Sequence, residues 1–220
     1  MIKAVIFDMD GLLIDSEPLW LEAEVEAAKI AGIDLTEKQF LANQGLKSEK
    51  IVDQWFNNIK PWTSPSKKEV EEALVKNLIA RVKEKGTSKP GALKILEMIK
   101  KKNVKMALAS SSLMSIIDAT VEKLNIRNFF DELYSAEFEE HGKPHPGVYL
   151  TTAKMLDVAP EYCLAFEDSF NGLLAAKSAQ MKCVSVPDGH LWGDKRLAIA
   201  DEILKSLEDF DEEAWKRLEK

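Results

Sequence analysis

Short apolar runs rich in β-branched residues alternate with longer amphipathic stretches along this chain of 220 residues. The alternation predicts βα units and therefore an α/β fold built on a mostly parallel sheet. Some of the apolar runs have the length of buried strands. These predicted strands are Lys3–Phe7, Lys105–Ala109, Cys163–Phe166 and Lys182–Val186.

Helix patterns follow several of these strands. Leu113–Leu124 comes after the second strand and Asn171–Ser178 after the third, while Leu207–Lys220 predicts an amphipathic helix at the end of the chain. The first two helices would each return the chain across the sheet to the start of the next parallel strand.

The interval between the first two predicted strands contains no convincing strand, although it is far longer than an ordinary crossover. Glu17–Ala31 has apolar positions at helical spacing, and Thr36–Gln39 and Ser66–Glu69 fit the capping box that begins a helix. We therefore predict a helical insertion, residues 16–85, on a core formed by residues 1–15 and 86–220. The glycine-containing segments 11–16 and 86–90 are its expected hinges.

Composition and charge indicate which partners and which cellular compartment to expect. The net charge of −7, from 37 acidic and 30 basic residues, gives no general attraction to nucleic acid or to anionic membranes. No apolar run has the length of a membrane span, and no leader pattern follows Met1. Cys163 and Cys183 lie in apolar runs, as buried thiols do in a reducing compartment. We expect a cytoplasmic monomer.

Polar residues collect where the predicted strands end. Asp8 and Asp10 follow the first strand, Ser110 the second, and Glu167 and Asp168 the third. In an open parallel sheet these carboxyl ends form the ligand-binding edge. Four carboxylates so close together would repel one another without a cation, and hard oxygen ligands favour Mg²⁺. The sequence therefore predicts a magnesium site at this edge.

Carboxylates with Mg²⁺ usually act on phosphate esters. Ser110 and Ser111 precede a helix and can bind a phosphoryl group, and Lys143 in "GKPHP" can neutralise part of its charge. One carboxylate can form an acyl phosphate while a neighbouring one transfers protons. Asp8 and Asp10, which are separated only by Met9, suit these two roles. The expected ligand is a small phosphorylated metabolite.

Four segments resemble the motifs of the haloacid dehalogenase superfamily: "FDMDGLLIDS", "LASSS", Lys143 of "GKPHP" and "FEDSFNGLLAAKSA". They occur in the order typical of that family, and the core signature spans residues 5–179. The resemblance implies a Rossmann-like three-layer core with an inserted α-helical cap. It therefore agrees with the insertion inferred from the helical pattern.

The resemblance also implies a role for each residue. Asp8 would be the nucleophile and Asp10 the general acid and base. Phosphate would be bound by Ser110, Ser111 and Lys143. The metal would be held by Asp8, by the backbone carbonyl of Asp10 and by Asp168, with Glu167 nearby.

Within the superfamily, "SEPLW" and "WFNNIKPWTSPS" are most similar to phosphatases of hexose and hexitol phosphates. β-Phosphoglucomutases, the alternative, usually have a cap histidine where this chain has Trp20 and a phosphate-binding arginine around Lys47 and Ser48. Both departures favour hydrolysis over isomerisation. A non-catalytic interaction protein is the alternative from another class, and it would be expected to lose one of the motif residues. Dehalogenation fits poorly, because those enzymes do not need the metal-binding acids.

The predicted insertion carries polar and aromatic candidates for substrate contact. The alternative for the polar candidates is that they lie on a solvated helix face. The alternative for the tryptophans of the insertion is that they pack in its core. The candidates are Glu17, Trp20, Asn43, Gln44 and Lys47.

Overall fold

The computed structural model describes residues 1–43 and 45–220, in the case of Glu37 and His190 without their side chains. Six strands form one parallel sheet in the order β3-β2-β1-β4-β5-β6. They are β1 (Ala4–Phe7), β2 (Lys105–Ser110), β3 (Glu132–Ser135), β4 (Cys163–Glu167), β5 (Lys182–Ser185) and β6 (Glu202–Ile203).

The four strands predicted from the sequence are confirmed as β1, β2, β4 and β5. Sequence analysis missed β3 and β6. β3 is the partly exposed segment "ELYS", and β6 contains two residues. Such short edge strands lack the continuous apolar run that marks a strand buried on both faces.

The interval between β1 and β2 is helical, as predicted. It contains α1 (Glu17–Ile30), α2 (Glu37–Leu41), α3 (Ser48–Gln54) and α4 (Lys67–Lys85), to which we refer as the inserted helices. Both predicted capping boxes are present: the side chains of Thr36 and Ser66 accept hydrogen bonds from the backbone at the starts of α2 and α4. A π-helical turn, Trp55–Ile59, continues α3.

Further helices cover the two faces of the sheet. They are α5 (Ala92–Lys100), α6 (Met114–Lys123), α7 (Gly147–Met155), α8 (Phe170–Ser178) and α9 (Glu212–Glu219). The face of β1 that carries Val5 and Phe7 packs against α5, α6 and α9, and the face that carries Ala4 and Ile6 packs against α7 and α8. The expected three-layer α/β core is confirmed.

The two connections between the sheet and the inserted helices lie side by side. The backbone N–H of Asp15 donates to the carbonyl of Thr87 at 2.9 Å, and that of Lys89 donates to the carbonyl of Leu13 at 3.0 Å. These bonds bring the start of α1 and the end of α4 close to the carboxyl end of β1. None of the helices described is long and apolar enough to cross a bilayer.

Candidate active site

The ends of three neighbouring strands bring the predicted site residues together. β1 lies between β2 and β4, and Phe7 is in register with Leu108 on one side and with Phe166 on the other. Asp8 and Glu167 occupy the next positions along β1 and β4, and Ser110 lies two positions after Leu108 at the end of β2. Parallel pairing thus gathers polar groups that are distant in sequence at one edge of the sheet.

Lys143 lies at the centre of this edge, and its side chain is only 2% exposed. Its Nζ donates to Asp8 Oδ1 at 2.5 Å, to Glu167 Oε1 at 2.6 Å and to the carbonyl of Ala109 at 3.3 Å. Burial alone lowers the pKa of Lys143, but the two carboxylates outweigh it and raise that pKa above its ordinary value. The Tyr149 hydroxyl also donates to Glu167. Lys143 therefore remains a cation beside Asp8.

Asp8, Glu167 and Asp168 form a compact carboxylate cluster, with one oxygen from each within 4.8 Å of the others. Burial raises the pKa of Asp8 to about 8, although Lys143 opposes the shift. Burial and the neighbouring carboxylates of Asp8 and Glu167 also raise the pKa of Asp168. One lysine does not balance two buried carboxylates and a third that is partly buried, so this donor set fits a hard divalent cation.

Two glycines make the close approach of these acids possible. Gly11 has a φ of +73°, and a Cβ at this position would lie 2.1 Å from Asp168 Oδ2. A Cβ at Gly172, in α8, would lie 2.0 Å from the Glu167 carboxyl group. Any side chain at either position would collide with the cluster.

Asp10 is held by other groups. Ser112 Oγ donates to Asp10 Oδ2 at 2.7 Å, and Ser110 Oγ lies 3.5 Å from the same oxygen. The indole Nε1–H of Trp20, on α1, donates to Asp10 Oδ1 at 2.9 Å. The Asp10 carboxylate is thus directed towards the inserted helices, and its side chain does not belong to the cluster of Asp8, Glu167 and Asp168.

The three serines after β2 provide donors next to Asp8. The backbone N–H of Ser112 donates to Ser110 Oγ at 3.0 Å. Ser111 Oγ is buried and has no hydrogen-bond partner among the described residues. A buried hydroxyl without a partner costs free energy unless a ligand supplies one. A phosphoryl oxygen would supply that partner.

A cleft of about 730 Å³, partly open to solvent, lies between this edge and the inserted helices. Its floor includes Asp8, Asp10 and Lys143. The opposite wall comes from the inserted helices and the segment between α2 and α3. The wall residues include Trp20, Glu24, Phe40, Asn43, Leu46 and Ile51.

The structure separates the predicted substrate contacts. Glu17, Trp20 and Asn43 line the cleft. Lys47 is not among the lining residues: its Nζ donates to the backbone carbonyl of Glu139 at 2.7 Å. Gln44 lies outside the described residues.

Several residues of the site were missed by sequence analysis: Glu24, Lys89, Tyr149 and Asp188. Glu24 had a signal, because it is a carboxyl group on the apolar face of α1 beside Ala23, Ala27 and Ala28. Tyr149 had none, since a tyrosine in an amphipathic helix resembles ordinary core. Lys89 and Asp188 reach the cleft only through tertiary folding.

Comparison with known proteins agrees with this geometry. Residues 2–180 match the family of haloacid dehalogenase-like hydrolases. The chain belongs to this family. Hexitol phosphatase B of Escherichia coli (strain K12) is 40% identical to this chain over 207 residues, covering 94% of this chain and 93% of the relative.

Two further proteins are similar to this chain over nearly its whole length. The phosphorylated carbohydrates phosphatase of Thermotoga maritima is 33% identical over 217 residues, covering 94% of this chain and 99% of the relative. The crystal structure of β-phosphoglucomutase from Clostridium difficile superposes with a TM-score of 0.87 at 28% identity, covering 100% of this chain and 98% of that one. The haloacid dehalogenase-like fold therefore extends over the whole length of the chain.

Proposed function

We propose that this protein is a Mg²⁺-dependent phosphatase that hydrolyses a small sugar or sugar-alcohol phosphate through an aspartyl-phosphate intermediate. The observation that carries the proposal is the pairing of Asp8 with buried Lys143 on the floor of the cleft, next to an Asp10 that has a separate set of donors. The named activities of the relatives, a hexitol phosphatase and a phosphorylated carbohydrates phosphatase, support this substrate class.

The hydrogen bonds of the site support a separate role for each residue in the proposed reaction. Lys143 binds Oδ1 of Asp8 and so directs Oδ2 towards an incoming phosphorus atom. Attack would form the Asp8–phosphorus bond and break the ester bond, and Asp10 would protonate the departing alkoxide. Asp10 would then remove a proton from the water that hydrolyses the acyl phosphate. Ser110 and Ser111 would bind the phosphoryl oxygens throughout.

The magnesium ion would be held by Asp8, the backbone carbonyl of Asp10 and Asp168, with Glu167 turned towards Lys143. When bound, it supplies positive charge that keeps the buried carboxylates ionised and offsets the charge of the phosphoryl group. Residues 16–85 would act as a cap over the core of residues 1–15 and 86–220. Closing the cap would exclude bulk water from the reacting atoms.

The placement of Lys47 favours hydrolysis over the mutase alternative. A mutase has to hold a sugar bisphosphate, so the cap must bind a second phosphate. The Nζ of Lys47 is already bonded to the Glu139 carbonyl, and Trp20 bonds to Asp10. Incubation with β-glucose 1-phosphate and a bisphosphate primer separates the two reactions, because a mutase accumulates the isomer and a phosphatase accumulates free phosphate.

The decisive experiment is Asp8→Asn assayed against a panel of phosphorylated metabolites with Mg²⁺. The variant lacks the nucleophilic oxygen, so we expect turnover to fall at least about 10³-fold while the circular dichroism spectrum is unchanged. Asp118→Asn, an exposed change on α6, is the matched control and should retain full activity. Substantial turnover by Asp8→Asn would exclude the mechanism. A wild-type protein inactive on every ester would instead favour the interaction-protein alternative.

A further inference from the structure

Glu24 is a carboxyl group that faces the cleft from the side opposite the catalytic acids. It lies on the buried face of α1, only 2% exposed, and it is one of the residues that line the cleft. A buried carboxyl group in an apolar helix face costs free energy unless its hydrogen bonds are made. Leucine or alanine would pack there at a lower cost in free energy, so a carboxyl group at this position indicates a role other than packing.

Among the described residues, Glu24 has one hydrogen-bond partner. Asn43 Nδ2 donates to Glu24 Oε2 at 2.7 Å, and in the described part of the chain no other residue bonds to this carboxyl group. Asn43 is itself only 3% exposed and also lines the cleft. Within the part of the chain that the structure describes, no residue bonds to the other oxygen of Glu24 or to the amide oxygen of Asn43, so both can accept or share a hydrogen bond with a ligand.

The surroundings of this pair are apolar. Phe40, Leu46 and Ile51 line the same wall of the cleft. They can contact the carbon skeleton of a substrate but cannot bond to its hydroxyl groups. Glu24 and Asn43 thus place polar groups within an apolar surface, an arrangement typical of sites that fix the orientation of a small ligand.

Burial also changes the protonation state of Glu24. Burial raises the pKa of Glu24 to about 8, against a smaller opposing effect of the Asn43 hydrogen bond. At neutral pH the group is therefore largely protonated, so that it can donate one hydrogen bond as well as accept. A hydroxyl group, which both donates and accepts, complements such a carboxyl group better than a cation or a second phosphate does.

We propose that Glu24 and Asn43 recognise substrate hydroxyl groups at the end away from the phosphate, and so select polyhydroxylated monophosphates over phosphate esters of plain alkyl chains. This inference rests on the proposed function, because it assumes that the phosphate lies against Lys143 and the serines. With the phosphate on the floor of the cleft, the remainder of the substrate extends towards α1. Glu24 acts there as a specificity-determining residue and takes no part in the chemical steps.

The test compares a hexitol 6-phosphate with hexyl phosphate, two esters of the same chain length that differ in their hydroxyl groups. For Glu24→Leu we expect kcat/KM for the hexitol ester to fall about 10–100-fold, while kcat/KM for hexyl phosphate changes less than about 3-fold. Glu24→Gln keeps an acceptor oxygen and a donor, as the protonated carboxyl group has, so it should remain within about 5-fold of the wild type on both esters. Glu26→Leu makes the same change on the exposed face of α1 and should not alter the ratio of the two kcat/KM values.

An equal loss on both esters would show that Glu24 only supports the packing of α1, and no loss on either would exclude it from recognition. Unchanged turnover of hexyl phosphate by Glu24→Leu also shows that this variant folds.

Calorimetric binding of both esters, measured with and without Glu24→Leu in an Asp8→Asn background, makes the inference testable apart from the proposed function. If the wild type hydrolyses neither ester, the proposed function is wrong, yet a 10–100-fold weaker binding of the hexitol ester alone would still support recognition by Glu24. Equal binding of the two esters, or binding of neither, would overturn it.

Discussion

Asp8 and Asp10 are separated by one residue but are held by different partners. Asp8 pairs with Lys143 in the core, whereas Asp10 receives one hydrogen bond from Ser112 in the core and one from Trp20 on α1. Sequence analysis predicted Trp20 as a substrate contact. The structure adds a hydrogen bond from the Trp20 indole to Asp10, the proposed general acid and base. Trp20 therefore connects the inserted helices to Asp10.

Trp20→Phe removes the indole donor and retains an aromatic ring. Since Asp10 is proposed to protonate the leaving oxygen, we expect kcat/KM to fall about 10-fold for a sugar-alcohol phosphate, whose alkoxide needs that proton. For p-nitrophenyl phosphate, whose leaving group needs no proton, we expect less than about a 3-fold change. Steady-state kinetics with the two esters measures the difference.

Trp62→Phe is the matched control, because the Trp62 indole donates to the Pro65 carbonyl at 2.7 Å and does not line the cleft. It should leave both values of kcat/KM close to those of the wild type. Equal losses on the two esters in Trp20→Phe would indicate that Trp20 supports the cleft without orienting Asp10.

Among the helices, α1 is unusual in carrying a carboxyl group on its buried face. Leu19, Ala23, Ala27 and Ala28 pack inwards beside Glu24, and α1 packs against α4 through that face. Sequence analysis located this helix to within one residue at its end, because helical spacing and Gly32 mark its bounds. It did not identify Glu24, because an isolated acid in an apolar stripe gives no sign of which groups surround it.

The buried acid makes the packing of α1 depend on pH. The pKa of Glu24 is about 8 in the folded protein and has an ordinary value of 4.5. Between these values the folded state binds more protons than the unfolded state, so this contribution to stability is complete below about pH 4.5 and is lost as the pH rises to about 8. Glu24→Gln has no such dependence.

We therefore expect Glu24→Gln to gain stability relative to the wild type as the pH rises from 5 to 8, by about 1.4 kcal/mol per pH unit at most. Urea unfolding at several pH values measures the difference. Because both proteins keep the same acids at the sheet edge, the titration of those acids cancels. A difference that does not vary with pH would show that Glu24 is ionised in the folded state.

The inserted helices and the core are joined by more than the two chain connections. Lys47 Nζ donates to the Glu139 carbonyl, and Lys123 Nζ, on α6, donates to the carbonyl of Lys83 at 2.7 Å near the end of α4. These contacts connect positions far apart in sequence, and no local sequence pattern predicts them. They hold Trp20 and Glu24 over the carboxylate cluster.

The proposed binding of Mg²⁺ to the carboxylate cluster would add to the stability of the folded chain. Unfolding separates Asp8 from Asp168, so a bound cation stabilises the folded state alone. At Mg²⁺ concentrations near 100 times the dissociation constant we expect about 2.7 kcal/mol of added stability and a rise in Tm of roughly 5–10 °C. Thermal unfolding with Mg²⁺ and with a chelator measures it.

Asp168→Asn should remove most of this Mg²⁺-dependent rise in Tm, whereas Asp118→Asn, an exposed change, should retain it. A rise of equal size in both variants, or none in the wild type, would contradict the assignment of the metal to this cluster.

The amino-acid sequence by itself determined the α/β class, the four inner strands, the helical interval and the motif residues. Apolar periodicity and capping residues are local, and strand ends in a parallel sheet share one edge, so Asp8, Ser110 and Asp168 could be placed together. Tertiary structure alone decided which side chains face the cleft. It bonded Lys47 to the Glu139 carbonyl, Trp20 to Asp10 and Asn43 to Glu24, because those contacts depend on how helices pack across the sheet edge and not on the spacing of residues within any one helix.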